Sequence, residues 1–176
     1  MTVMENLKQY EIDDPNFVDD LKKSDSHVAK VVKWLQGKGI TARKQPIKIR
    51  DKVENMSEFS DDGDIFIDWQ GGEERVEAKQ RHINFTSEND FPYGTIIVDA
   101  AHNWDNANPK PRFYILTNDA VTHCCVVKGS TYDNWIRVKK WDRFKKRDRW
   151  FLECPVGCAK FYSMDSKMEI KPNENV

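Results

Sequence analysis

Apolar and polar residues follow two rhythms along this chain of 176 residues. Between residues 24 and 39 the rhythm is helical. Val28, Val31, Val32 and Leu35 fall at i, i+3, i+4 and i+7, one stripe of a helix that Ser24 or Ser26 can cap and that Gly37 and Gly39 end. Ahead of it, Asp14-Pro15 reads as an N-cap with proline at the first helical position, and Phe17, Val18 and Leu21 follow, which predicts a separate short helix over 15–23. Residues 40–50 alternate loosely around Pro46, predicting one or two strands broken or edged by the proline. Residues 51–63 are polar and acidic, a loop. From DIFIDW to RVEAK the period is two, with Gly71-Gly72 between, the pattern of a β-hairpin. Residues 80–93 look irregular. Short apolar runs then predict strands at 95–98, 113–116, 122–127, near 149–153 and at 159–162, with a helix over 130–136 and another that Asp99 would cap. Helices come first and strands dominate after them, so the class is α/β or α+β with one mixed central sheet flanked by helices. The length suits a single domain over 1–176, with 165–176 as a loose tail.

A two-residue Gly71-Gly72 turn fixes the hairpin register: Asp68 faces Arg75, Ile67 faces Val76, Phe66 faces Glu77, Ile65 faces Ala78 and Asp64 faces Lys79. One face then holds Ile65, Ile67, Val76 and Ala78. The other holds Asp64, Asp68, Arg75, Glu77 and Lys79, with Phe66 among them. Two carboxylates and an ammonium thus converge at one end. Asp64, Glu77 and the backbone carbonyl of Ala78 are hard oxygen ligands of the kind Mg²⁺ takes. A metal there neutralises a phosphate oxygen and acidifies a bound water. Lys79 can hold that water or stabilise the charge that develops.

Gly63-Asp64, a spacer of twelve residues, and Glu77-Ala78-Lys79 resemble the PD-(D/E)XK nuclease superfamily, the restriction-endonuclease-like fold. There the Asp starts one strand of a hairpin, the (D/E)-X-K lies on the next, and a helix precedes both, as residues 26–36 would here. Gly63 stands where the motif's name has Pro. The resemblance implies a metal-dependent nuclease hydrolysing DNA, with Asp64, Glu77 and Lys79 catalytic, Mg²⁺ (or Mn²⁺) held by Asp64, Glu77 and Ala78, and the size of phage nucleases, junction resolvases and compact repair or restriction enzymes. An endonuclease acting as a homodimer, whose two sites make two cuts, is the implied form. The alternative is a catalytically inactive protein of the same fold that binds DNA or protein.

The formal net charge of −1 carries no message, but its distribution does. Residues 137–149 hold eight bases against two acids, interleaved with Trp141 and Phe144. Arg137, Lys139, Lys140, Arg143, Lys145, Lys146 and Arg147 are the expected contacts to DNA phosphates. The absence of an apolar run of eighteen residues and of a hydrophobic N-terminal segment argues against a membrane protein, and four cysteines without a secretory signal suit a cytoplasmic chain with free thiols. His123, Cys124, Cys154 and Cys158 have the chemistry of zinc ligands but not their usual spacing. His27 and His102 read as capping or surface residues that a metal or a proton transfer can also use.

Overall fold

The computed structural model describes residues 15–45, 65–143 and 145–165, with the backbone alone for 15–25. The first described element is one continuous helix, α1 (Pro15–Gly37), where two were expected. Ser24 and Ser26 lie inside it rather than at a helix start. Leu21, Val28 and Leu35 lie seven apart, so the two short apolar patterns are one stripe in register. The helix ends as its glycines predict: Gly39 takes φ +82°, Gly39 N–H donates to Gln36 O at 3.0 Å and Ile40 N–H to Leu35 O at 3.1 Å, the paired bonds of a Schellman motif.

A six-stranded sheet follows, in the order β1 (Ala42–Lys44), β2 (Ile65–Trp69), β3 (Gly72–Gln80), β5 (Phe113–Thr117), β6 (His123–Lys128), β9 (Ala159–Ser163). Every neighbouring pair is antiparallel except β3 and β5. The crossover between those two carries β4 (Thr95–Ala100) and the short helix α2 (Ala101–Asn106). β4 leaves the main sheet and pairs with β8 (Arg147–Pro155), which pairs with β7 (Ile136–Asp142), making a second, three-stranded antiparallel sheet. The expectation of one central sheet flanked by helices is corrected accordingly: α1 covers one face, and the small sheet with α2 covers the other. The expected helix over 130–136 is a 3₁₀ segment, Gly129–Asn134, and the basic run forms nearly all of β7, a turn and the start of β8.

Strand alternation divides the interior in two. Ile65, Ile67, Val76, Ala78 and Ile115 face Val28, Val31 and Leu35 of α1. Tyr114, Leu116, Cys125 and Val127 face Ile96, Val98, Leu152, Cys154 and Trp104 of the opposite layer. The hairpin keeps the predicted faces but not the predicted pairs. Ile65 lies opposite Val76, Phe66 opposite Arg75, Asp68 opposite Glu73 and Trp69 opposite Gly72. The turn is Gln70-Gly71, with φ +50° and +84°, both left-handed as a tight hairpin of this kind requires. Moving a two-residue turn by one position slips the partners by two, which preserves the side of the sheet each residue occupies.

Candidate active site

β3 runs through the middle of the main sheet, so its alternate side chains enter two different layers. Val76 and Ala78 join the α1 layer. Arg75, Glu77 and Lys79 point the other way, toward the small sheet. Charges placed there need partners, since burying an unanswered one is costly. Glu77 is 2% exposed, and its Oε1 accepts a hydrogen bond from Arg75 Nη2 at 2.8 Å. Arg75 Nη1 also donates to Pro109 O at 3.1 Å. The expected cross-strand pair Asp68–Arg75 does not form, because the register sets Asp68 elsewhere and Arg75 turns inward to Glu77. Lys79 keeps a quarter of its side chain exposed and places Nζ 3.3 Å from Asp99 Oδ1.

Asp99 brings a second carboxylate to this side of the sheet. Its Oδ1 accepts the amide of Ala100 at 2.8 Å, but the N-cap of α2 is Ala100 and no side chain caps it, so the expected cap role gives way to a buried, central carboxylate. Asn103 Nδ2 donates to Oδ1 at 2.9 Å, and the Tyr114 hydroxyl donates to Oδ2 at 3.1 Å. Tyr114 is fully buried across the sheet from Glu77. Burial, then the charges of Asp99 and Glu77, push its ionisation far above the usual phenol range, so it stays a neutral donor. The constellation between the layers is therefore Arg75–Glu77 beside Tyr114–Asp99–Lys79. Arg81, next on this face, donates through Nη2 to the carbonyls of Ile97 at 2.5 Å and Val98 at 3.2 Å.

Asp64 lies outside the described residues, so two of the three expected catalytic groups are described. Glu77 and Lys79 share one face, as expected, but Glu77 is enclosed rather than open to a cleft. The oxygens at hand, from Glu77, Asp99 and the Ala78 carbonyl, are hard donors of the kind Mg²⁺ prefers. The donor chemistry thus fits a divalent ion, with one condition: the Arg75 guanidinium already neutralises Glu77, and a dication at that carboxylate requires Arg75 to turn away. Among the described residues, no group of three or more His, Cys, Asp or Glu side chains is arranged to hold a metal.

The remaining expected residues scatter. Arg137 grips Asp105 through Nη1 at 2.9 Å and Nη2 at 2.5 Å, and Lys140 Nζ sits 2.6 Å from Glu153 Oε2. Lys139, Arg143, Lys145, Lys146 and Arg147 are exposed on the β7–β8 ribbon and its turn. Cys124 belongs to the α1 layer and Cys154 to the opposite one, so the main sheet separates these two residues of zinc-ligand chemistry. Cys124, Cys125 and Cys154 are wholly buried, and burial pushes the Cys125 and Cys154 thiols up to about 12. His27 is buried with Nε2 2.8 Å from Thr117 Oγ1, and burial first, then Lys30, lowers its pKa to about 4. His102 is exposed, 3.4 Å from an Arg149 nitrogen.

Comparison with family models, with curated proteins and with solved structures returns no match to this chain. Among the described residues no helix is long and apolar enough to cross a membrane.

Proposed function

We propose that this chain is a metal-dependent nuclease of the PD-(D/E)XK type, an endonuclease hydrolysing phosphodiester bonds in DNA. The observation that carries the reading is the placement of Glu77 and Lys79. They stand two residues apart on the second strand of a hairpin, on one face of a mixed sheet that a helix precedes in the chain, with a second buried carboxylate, Asp99, against the lysine. Glu77, Ala78 and Asp64 are the residues that would hold Mg²⁺ or Mn²⁺. When bound, such an ion neutralises a phosphate oxygen and acidifies a water. Lys79, oriented by Asp99, supplies a positive hydrogen-bond donor for the attacking water or the phosphate. Tyr114 and Asn103 fix the Asp99 carboxylate and through it the ammonium.

The Arg75–Glu77 pair favours a second reading, a protein of this fold that binds DNA or protein without cutting, because the carboxylate that would take the metal already has a cation. Incubating supercoiled plasmid with the purified protein in Mg²⁺, Mn²⁺ or EDTA separates the two. The nuclease nicks in the presence of either metal and stops in EDTA. Lys79→Ala and Glu77→Gln, checked for folding by circular dichroism, then lower the rate by at least about 10²-fold, roughly 3 kcal/mol in the barrier. A folded parent protein that cuts in none of these conditions supports the binding module instead.

A further inference from the structure

The β7–β8 ribbon exposes two tryptophans, the side chain with the most apolar surface to bury. Trp141 is 64% and Trp150 54% exposed. The register sets Lys139 opposite Trp150 and Trp141 opposite Asp148. Both indoles therefore stand on one face as diagonal neighbours, about 7–8 Å apart at their backbones. That is roughly two base-stacking steps of about 3.4 Å, room for one base between the rings or one on each.

The same face leads to the candidate active site. Leu152, two residues along β8 from Trp150, lies opposite Asp99, and Asp99 holds Lys79. The path from that pair to Trp150 is about 7 Å of strand. Positive charge accompanies it: Lys139 shares the face, and Lys145, Lys146 and Arg147 are exposed at the turn. A cavity of about 460 Å³ between α2 and the ribbon is lined by His102, Arg137, Arg147 and Trp150 together with the acids Asp105 and Asp148, the first of them already paired with Arg137.

We propose that this ribbon face binds single-stranded DNA, with bases stacked on Trp141 and Trp150 and phosphates held by Lys139 and the basic turn. The choice of DNA rests on the nuclease reading; the choice of a single strand rests on the tryptophans. Bases in a duplex are stacked on each other and offer a ring face only at an end, whereas unpaired bases offer theirs freely, and stacking on aromatic side chains is indifferent to sequence. A second copy of the chain is a poorer occupant, since it would bring its own basic ribbon against this one.

Binding is measured in EDTA, so that it is read without cleavage, by fluorescence anisotropy of a labelled oligo-dT of about 12 nucleotides, a blunt duplex and an RNA of equal length. The single DNA strand binds at least about tenfold more tightly than the duplex and quenches tryptophan fluorescence. The Trp141→Ala/Trp150→Ala variant loses at least about tenfold for the single strand and stays within about twofold for the duplex, and the double Phe variant recovers part of the loss. Lys139→Ala weakens both substrates. An unchanged single-strand affinity in the double Ala variant, equal affinity for the duplex, or tighter binding to RNA overturns the proposal. So does a dimer in sedimentation that the double Ala variant dissolves. A protein that binds single strands but never cuts defeats the nuclease reading alone; one that cuts but ignores single strands defeats this inference alone.

Discussion

A carboxylate between two sheets persists only where its charge is answered, and Asp99 is answered by a backbone amide, an amide side chain, a phenol and an ammonium. His27 solves the same problem by losing its charge. With a folded pKa of about 4 against an ordinary 6.5, the unfolded chain binds the extra proton between those values. The stability from neutral His27 is therefore complete above about pH 6.5 and declines as pH falls toward about 4, by up to roughly 1.4 kcal/mol per pH unit. Denaturant midpoints measured across this range should fall, and the slope should flatten in His27→Gln; parallel slopes would place the titration on another group. Alternation of period two was enough to put Glu77 and Lys79 on one face. It was not enough to find Asp99, which ends an apolar strand some twenty residues later, where a lone acid after TIIV reads most simply as a helix cap. The signal for its burial is that same strand: both neighbours in VDA are apolar, and an acid inside such a run needs partners.

At the scale of elements, the hairpin shows how close a local reading comes. Gly71 belongs to both possible turns, Gln70-Gly71 and Gly71-Gly72, and either choice leaves the apolar residues on the same side. The chain therefore specifies the face strongly and the register weakly. Two glycines test what the turns and crossings demand. Gly71→Ala places a side chain in open space but at φ +84°, so its cost is conformational, about 1–2 kcal/mol. In Gly129→Ala the new Cβ would lie 2.3 Å from the carbonyl oxygen of Pro111, with Trp104 behind it, so backbone must move. Thermal denaturation should rank Gly129→Ala below Gly71→Ala, and both below the parent; the reverse order would mean that the 3₁₀ segment yields more easily than the hairpin. α1 is one helix rather than two for a related reason: Ser24-Asp25-Ser26 has the composition of a cap, but the apolar stripe resumes in register beyond it, Val28 falling seven residues after Leu21.

At the scale of the molecule, the described residues stack a helix, a large sheet and a small sheet, and the third layer was the part least legible in the chain. Most of the strands of that layer were foreseeable, but not their partners. β4 and β8 pair across more than fifty residues, a contact that periodicity cannot announce. The basic run likewise gave a charge pattern without showing that it would form a ribbon whose two faces divide the bases between them. The stacking also sets the chemistry of the thiols. Cys124, Cys125 and Cys154 lie sealed on the two sides of the large sheet, while Cys158 remains partly accessible. The chain thereby carries an internal clock for its own opening. A thiol-labelling reagent followed by intact mass should attach once quickly, at Cys158, and then add further labels only at the rate at which the layers separate. Three slow additions arriving together would mean that the helix and the small sheet come away from the large one in a single cooperative event; Cys124 reacting apart from Cys125 and Cys154 would mean that each face of the sheet opens on its own schedule.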